Sequence, residues 1–243
     1  MIINSLDNAR VKLWTKLHQK KYREQYGLFI VEEKHLIEEA IQADMLDTLI
    51  VREGRDNPFD REAVVVSDGV MKKLSENVSL NECIGICKIS PARELKGSSF
   101  IILEKVQNPG NVGTIIRTAY SLGYDAVLLS EGCASPYSHK TIQSSQGALF
   151  HIPLVEGNIE DLIGKVKKLG CRVYATTLDS SRFLQETVIT DKYALMLGNE
   201  GQGLSDMAVS LSDENVKIEM RNFESLNVAI AMGITAYWFK QKK

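Results

Sequence analysis

The stretch LGNEGQGLS, residues 197–205, places three glycines directly after the apolar run YALML. Gly198, Gly201 and Gly203 are spaced G-x-x-G-x-G, the reverse of the dinucleotide-binding order G-x-G-x-x-G. Glycines that follow a buried strand indicate that the backbone closely approaches a ligand or another segment. A tight turn explains the glycines but not Glu200, whose carboxylate could orient an arginine or bind a cation.

Two further stretches combine polar residues with the ends of predicted elements. In EKVQNPGNVGTIIRTAYSLG a strand leads into a loop with Asn111 and Gly113, and the helix that follows offers unpaired N–H groups at its N-terminus. Arg117 lies about one turn inside this helix; the pattern leaves open whether it points inward to a partner or outward into solvent. In MRNFESLNVAIA, Ser225 is a fair N-cap, and Asn227 is predicted inside the last helix, a position that asparagine disfavours.

These stretches belong to the second of two predicted domains. The halves meet at SPARELKGSS, residues 90–99, where proline, glycine and serine cluster, so we expect domains at 1–92 and 97–243. The first is a small α/β unit. In the second, continuous apolar strands alternate with helices, which predicts a parallel sheet covered on both faces. Ligands of such sheets bind outside the carboxyl ends of the strands, and LGNEGQGLS follows such an end.

The segment ARVKLWTKLHQKKY predicts an amphipathic helix with a basic face. Between residues 10 and 23 there is no acid and there are six basic residues: Arg10, Lys12, Lys16, Lys20, Lys21 and Arg23. Lys12, Lys16 and Lys20 are four apart and would form one stripe. Such a stripe could follow a phosphate backbone, or it could be an ordinary solvated helix face.

Composition excludes several function classes. The chain has 243 residues and a net charge of −2, so any case for nucleic acid must rest on a local surface. Its four cysteines form no C-x-x-C pair and no Cys/His metal spacing, and we expect no metal. No apolar run reaches membrane-spanning length and the N-terminus lacks signal-peptide order, so we expect a cytoplasmic protein. P-loop, H-E-x-x-H and G-x-S-x-G motifs are absent.

The three polar stretches together resemble the SpoU (TrmH-like) family of RNA ribose 2′-O-methyltransferases in the SPOUT superfamily. Asn111, Gly113 and Arg117 are similar to the family's N-x-G…R motif. The segments 197–204 and 225–228 resemble its L-G-N-E-x-x-G-L and S-L-N-V motifs. The first half, through SLDNARVKLWTKL and GLFIVEE, resembles the L30e-like RNA-binding domain that is often fused to these enzymes.

The resemblance implies a SPOUT parallel-sheet domain with a C-terminal trefoil knot, the methyl donor S-adenosylmethionine, and a homodimer with its site at the dimer interface. The residues that match the donor pocket are Thr176, Leu197, Gly198, Gly201, Ile218, Met220 and Leu226. The implied catalytic residues are Arg117, Asn111, Glu200, Ser225 and Asn227. The RNA-binding residues expected in the first domain are Arg10, Lys12, Lys16, Lys20 and Arg23.

The sequence departs from the family pattern in several places, among them a glycine after Met220 that is replaced within RNF. Glu219 replaces the proline of an I-P-M segment, Gln143 stands where an arginine is common, and Glu33 replaces the glycine of a V-E-G segment. These changes bear on the RNA substrate more than on the fold. Ribosomal RNA is the expected substrate, with tRNA second.

Two other functions are compatible with the motifs. A SPOUT-shaped protein could bind RNA without turnover, or a methyltransferase could act on a base nitrogen, which would need a base-reading pocket. For ribose methylation, Arg117 is the expected key residue. We expect it to stabilise the oxyanion or orient a phosphate, because a guanidinium is hard to deprotonate as a base.

Overall fold

The computed structural model describes residues 2–90, 94–178, 182–222 and 225–241. Contacts divide the chain into two compact units: Met1–Pro91 with Tyr137–Gln143, and Ala92–Pro136 with Ser144–Lys243. The expected boundary at residue 92 lies outside the described residues. Chain order alone did not anticipate that Tyr137–Gln143 groups with the first unit. There the Tyr137 ring packs against Phe29, with centroids 4.9 Å apart.

The first unit is built on a five-stranded mixed sheet of order β1-β4-β3-β5-β2. β1, β4 and β3 run parallel, and β5 is antiparallel to both of its neighbours, β3 and β2. Its elements are β1 (Ile2–Ile3), α1 (Ala9–Lys16), α2 (Lys20–Tyr26), β2 (Leu28–Val31), α3 (Lys34–Gln42), β3 (Leu46–Arg52), β4 (Ala63–Val66), α4 (Asp68–Leu74) and β5 (Cys83–Lys88).

The single basic helix expected over residues 9–22 is wrong: the chain forms two helices with a break at Leu17–Gln19. Arg23 explains the break, because its Nη1 donates hydrogen bonds to the carbonyls of Leu17 at 3.0 Å and His18 at 2.9 Å. These bonds satisfy backbone acceptors that the end of α1 leaves without helical partners. Arg23 is therefore buried, at 6% exposure, and holds the corner between the helices.

The second part of the chain forms a seven-stranded sheet of order β10-β12-β9-β11-β6-β7-β8, in which every paired strand is parallel. This confirms the predicted parallel α/β fold; the trefoil knot stays a prediction. In chain order the remaining helices and strands are β6 (Ser99–Leu103), α5 (Pro109–Ser121), β7 (Ala126–Ser130), α6 (His139–Ser145), β8 (Leu154–Gly157), α7 (Ile159–Lys168), β9 (Arg172–Thr176), β10 (Arg182–Phe183), β11 (Tyr193–Leu197), α8 (Asp206–Ser210), β12 (Glu214–Lys217) and α9 (Val228–Gln241). Most of α6 belongs to the segment Tyr137–Gln143 that groups with the first unit.

Two helices begin at asparagine caps that face the same region. Asn108 accepts hydrogen bonds from the amides of Gly110 and Asn111 and starts α5, with Pro109 at its first position. Asn227 caps α9 by accepting from the amides of Ala229 and Ile230. The expectation that Asn227 lies inside the last helix is therefore wrong, and its use as a cap removes the propensity conflict. No helix in the described residues is long and apolar enough to cross a membrane.

Candidate active site

A cavity of about 630 Å³ lies at the carboxyl ends of β9, β11 and β12. All seven residues that the sequence matched to a donor pocket line it: Thr176, Leu197, Gly198, Gly201, Ile218, Met220 and Leu226. Glu200, Ser225 and Asn227 line it as well. Among the described residues, Asn111 and Arg117 are outside this lining. The cavity thus gathers two of the three motifs and places the third beside it.

The glycine-rich loop after β11 is folded back on itself. Asn199 and Gly203 exchange two backbone hydrogen bonds of 2.9 Å, and the Asn199 side chain accepts from the amides of Gly201 and Gln202 at 2.9 and 3.0 Å. Gly203 has a φ of +70°, which favours glycine. Gly198 faces Gly203 so closely that a β-carbon would overlap the Gly203 backbone. The glycines therefore serve the loop's own tight fold, at the wall of the cavity.

Glu104 holds the end of this loop at Ser205, and the motifs in the sequence did not point to it. It is 2% exposed at the end of β6, and its carboxylate accepts hydrogen bonds from Ser205 N at 2.8 Å and Ser205 Oγ at 2.7 Å. Ser205 in turn caps α8 by accepting from Ala208 N at 3.2 Å. The signal that could have found Glu104 is an acid placed immediately after the fully apolar end of a buried strand, FIIL.

Glu200 joins the three motifs. Its Oε1 accepts hydrogen bonds from Asn108 N at 3.1 Å and Asn111 Nδ2 at 3.0 Å, and its Oε2 accepts from Gln107 N at 3.2 Å. Asn111 Oδ1 accepts from Asn227 Nδ2 at 3.1 Å. The carboxylate therefore holds the loop that precedes α5, while the asparagine pair connects α5 to the start of α9.

These hydrogen bonds keep Glu200 ionised. Partial burial acts to raise the pKa of Glu200, but hydrogen bonds from Asn111 and from backbone amides outweigh it, and the pKa lies below its usual value. A carboxylate that accepts several N–H bonds favours its charged form. Glu200 is therefore charged at neutral pH, and its carboxylate accepts hydrogen bonds from neighbouring amides rather than pairing with a cation.

The structure shows that Arg117 points outward, a question that its position in the sequence left open. Its side chain is exposed on α5, and the described residues give it no hydrogen bond and no ion pair. It forms no ion pair with Glu200, one of the two partners that we expect for it from the sequence; the other is a substrate phosphate. Ser225 is also exposed, at the rim formed by the loop before α9. The arginine is therefore a solvated cation beside the cavity.

The cavity residues fit the methyl donor that the family resemblance implies. The lining combines apolar side chains such as Leu197 and Ile218 with the backbone of the glycine-rich loop, and its volume is in the usual range of about 300–1,000 Å³ for small-molecule sites. On α9, Thr235 also contributes to the lining; it is 0% exposed, and its Oγ1 has no partner among the described residues. Buried hydroxyls normally have partners, so this one is available to a polar group in the cavity. No cluster of potential metal ligands occurs in the part of the chain that the structure describes.

The basic residues of the first unit differ in whether they form ion pairs with acidic residues. Lys12 Nζ is 2.8 Å from Asp7 and Lys20 Nζ is 3.6 Å from Glu24, whereas the exposed Lys16 has no ion pair within the described ranges. Arg10 is exposed and lies over the Trp14 ring at 4.9 Å. Because the two helices are separate, Lys20 does not continue the stripe of Lys12 and Lys16. Arg23 is buried and excluded from any RNA surface.

Comparison with known proteins agrees with this site. Residues 98–237 match the SpoU rRNA Methylase family, and residues 8–85 match the MRM3-like substrate binding domain. Over 241 residues the chain is 34% identical to the 23S rRNA (guanosine(2553)-2'-O)-methyltransferase RlmP of Bacillus subtilis, covering 97% of each chain. It is 30% identical to the uncharacterized tRNA/rRNA methyltransferase slr1673 of Synechocystis, covering 97% of this chain and 92% of that one. The fold is similar to that of an AdoMet-bound rRNA methyltransferase from Sinorhizobium meliloti, with a TM-score of 0.86, 27% identity, and coverage of 100% of this chain and 98% of that one.

Proposed function

Because the chain belongs to the SpoU rRNA Methylase family, we propose that it transfers a methyl group from S-adenosylmethionine to a ribose 2′-hydroxyl of ribosomal RNA. The observation that carries the proposal is the cavity at the strand ends, which gathers all seven residues matched to the donor pocket. A nicotinamide dinucleotide is disfavoured because the glycine order is reversed. We propose a cytoplasmic site of action, where a bacterial relative such as RlmP of Bacillus subtilis meets ribosomal RNA.

When bound, S-adenosylmethionine would supply a methyl group activated by its sulfonium, and Leu197, Ile218 and the glycine-rich loop would hold it in the cavity. The chain's own contribution is to hold the reactants in line and to stabilise the oxygen as it gains negative charge. Arg117 is suited to the second task, since its guanidinium is exposed and carries no partner among the described residues. Ser225, at the cavity rim, could hydrogen-bond the ribose.

Asn111, Glu200 and Asn227 act as positioning residues in this proposal. Their hydrogen bonds, of 3.0 and 3.1 Å, tie α5 to the glycine-rich loop and to the start of α9. α5 carries Arg117, so the same bonds fix the helix from which the guanidinium projects. Removing one of them should misplace Arg117 relative to the cavity.

Ribosomal RNA is recognised in part by the first unit, in our proposal through the exposed cations Arg10, Lys12, Lys16 and Lys20. Ion pairs with Asp7 and Glu24 already use Lys12 and Lys20. Each phosphate neutralised by a lysine contributes about 0.7 to 0.9 to the slope of log affinity against log salt. Changing Lys12, Lys16 and Lys20 together to alanine should weaken RNA binding and flatten that slope, while donor affinity stays unchanged.

A homodimer is proposed through α9. Ile230, Ile234 and Tyr237 are spaced on one face and are 55%, 43% and 56% exposed, an unusual density of apolar surface for a helix of a monomer. Trp238, on the same helix, is only half-buried in the chain itself, and we propose that it also contributes to the interface.

The decisive experiment maps 2′-O-methylation in rRNA and tRNA from cells with and without the gene. We expect one 23S rRNA ribose to lose its methyl group, and the guanosine named for the Bacillus subtilis relative is the first position to compare. Loss confined to tRNA would move the substrate, and a lost base methylation would change the reaction class. An unchanged methylation map together with RNA binding in vitro would favour a non-catalytic binding module.

A further inference from the structure

Two tyrosines form a stacked pair on the surface of α2. The rings of Tyr22 and Tyr26 are nearly parallel, with an angle of 15° between their planes and 6.2 Å between their centroids. Tyr26 is 37% exposed, and Tyr22 is half-buried beneath it. A tyrosine pair that serves only the core would be covered; this one keeps part of its outer ring in solvent.

Two lysines flank the inner ring. Lys21 Nζ lies 4.7 Å and Lys16 Nζ 5.3 Å from the centroid of Tyr22, within the range of cation–π contacts. Both lysines are exposed, and neither forms an ion pair with a described residue. We call these four residues, Lys16, Lys21, Tyr22 and Tyr26, the tyrosine–lysine patch.

The break between α1 and α2 creates the patch. Arg23 binds the carbonyls of Leu17 and His18 and so fixes the corner at which Lys16, the last residue of α1, reaches Tyr22 on α2. Since a helix turns once per 3.6 residues, Tyr22 and Tyr26 share one flank of α2, while Lys20 and Glu24 share the opposite flank. The only acid on α2 is therefore paired with Lys20, away from the patch.

We propose that the tyrosine–lysine patch binds unpaired nucleotides of the RNA substrate. A nucleobase stacks on the exposed ring of Tyr26 and extends the Tyr22–Tyr26 stack, and the flanking phosphates lie near Lys16 and Lys21. Aromatic platforms combined with cations are the usual means of holding single-stranded nucleic acid, since each base has a stacking face. A duplex exposes phosphates but buries its base faces, so the tyrosines would add nothing to duplex binding.

This inference rests on the proposed function only in taking RNA as the partner. The test uses the full-length protein, a single-stranded RNA oligonucleotide, and a blunt RNA duplex of the same sequence. Tyr26→Leu should weaken binding of the single strand by about 5- to 150-fold, the loss expected for one base stack, and leave duplex binding unchanged. Tyr26→Phe keeps the ring and is the matched control, with single-strand affinity within about twofold of wild type.

Salt dependence separates stacking from charge. Tyr26→Leu should lower affinity without changing the salt slope, whereas changing Lys16 and Lys21 together to alanine should flatten it. Lys20→Ala, on the paired flank, should have a smaller effect. Melting temperatures of the lysine variants should match wild type because these side chains are exposed. Tyr26 is 37% exposed, so the melting temperatures of Tyr26→Leu and Tyr26→Phe are compared to separate a lost base stack from a loss of folding.

The proposal is overturned if Tyr26→Leu and Tyr26→Phe bind the single strand equally, or if Tyr26→Leu weakens duplex binding to the same degree. Either result would leave the methyltransferase proposal intact, provided that the wild-type protein still methylates rRNA. If the wild-type protein does not methylate rRNA but Tyr26→Leu still selectively loses single-strand binding, the patch proposal stands and the methyltransferase proposal is refuted.

Discussion

Replacing Gly198 with alanine should strongly weaken donor binding, because the glycine-rich loop has no room for a methyl group there. The added β-carbon would overlap the carbonyl group of Gly203 and the amide nitrogen of Leu204. Non-bonded carbon atoms are at their optimum about 3.5–4.0 Å apart, so the loop backbone itself would have to move. It cannot move freely, since Asn199 and Gly203 exchange two backbone hydrogen bonds of 2.9 Å.

The size of the effect follows from these contacts. Forcing a methyl group into a packed site costs about 1–3 kcal/mol, and each of the two loop hydrogen bonds that it strains is worth about 0.5–1.5 kcal/mol. The sum is about 2–6 kcal/mol. This is the cost of holding the altered loop in the conformation that binds the donor, and it is subtracted from the free energy of donor binding. Even the low end corresponds to a loss of affinity of about 30-fold.

Two neighbouring glycines provide matched controls. At Gly201 an added β-carbon would meet only Asn199 Oδ1 at 3.6 Å, an ordinary contact, so Gly201→Ala leaves the loop backbone in place and should lose less donor affinity than Gly198→Ala. Gly203→Ala has open space but a φ of +70°, and the left-handed strain of about 1–2 kcal/mol should give an intermediate loss of affinity.

Calorimetric titration with S-adenosylmethionine and with its demethylated product, alongside thermal unfolding, measures the series. The expected order of affinity is Gly201→Ala, then Gly203→Ala, then Gly198→Ala. Equal donor affinity in Gly198→Ala and Gly201→Ala would refute the steric argument. A global loss of folding in Gly198→Ala would be visible in the unfolding curve before any titration.

Four further outcomes are expected. Arg117→Ala should lower single-turnover methyl transfer by about 10²- to 10³-fold with donor affinity and melting temperature unchanged, and Arg117→Lys should not restore the rate because an ammonium lacks the planar fork; near-normal turnover would remove Arg117 from the site. Glu32, 4% exposed, accepts hydrogen bonds from two side chains and two backbone amides at 2.6–3.2 Å. Glu32→Ala leaves these donors without a partner and should cost at least about 1–3 kcal/mol in denaturant unfolding, so an unchanged free energy of unfolding would contradict this. Ile230→Asp combined with Ile234→Asp should convert a dimer into a monomer in light scattering, and a wild-type monomer at micromolar concentration would contradict the interface. Because the folded pKa of Glu200 is lowered, its stabilisation of the loop is complete above the ordinary pKa of 4.5 and is lost as the pH falls through the lower folded value; Glu200→Gln should remove this acid-side loss from the unfolding profile.

The parallel sheet was predictable because its central strands are apolar on both faces. Every residue of β6, β7 and β11 is buried, and a strand covered on both sides leaves an unbroken apolar run in the sequence. The edge strand β10 and the helix α8 were not predicted. They have two and five residues, too few for a periodic pattern to emerge.

The break in the basic helix could not be predicted from periodicity. Val11, Trp14 and Leu17 continue a helical pattern, and all three are buried, so the apolar face itself gives no warning. The interruption depends on Arg23, which lies six residues beyond Leu17 and reaches back to its carbonyl. A basic residue in a basic stretch looks like one more surface charge until its burial is known.

Around Glu200, the motifs predicted which residues form the site but not which of them contact one another. The three motifs specify residue types, but Glu200 meets Asn111 across 89 positions and Asn227 meets Asn111 across 116, distances over which no local pattern acts. Guanidinium and carboxylate groups usually pair when they are close, yet Glu200 and Arg117 form no ion pair in the described residues. Instead, the Glu200 carboxylate accepts hydrogen bonds from two backbone amides of the loop before α5 and from the Asn111 side chain. Because neutral donors satisfy Glu200, no carboxylate neutralises Arg117 among the described residues. The role proposed for Arg117, stabilising the oxygen that becomes negative during transfer, requires such an unpaired guanidinium.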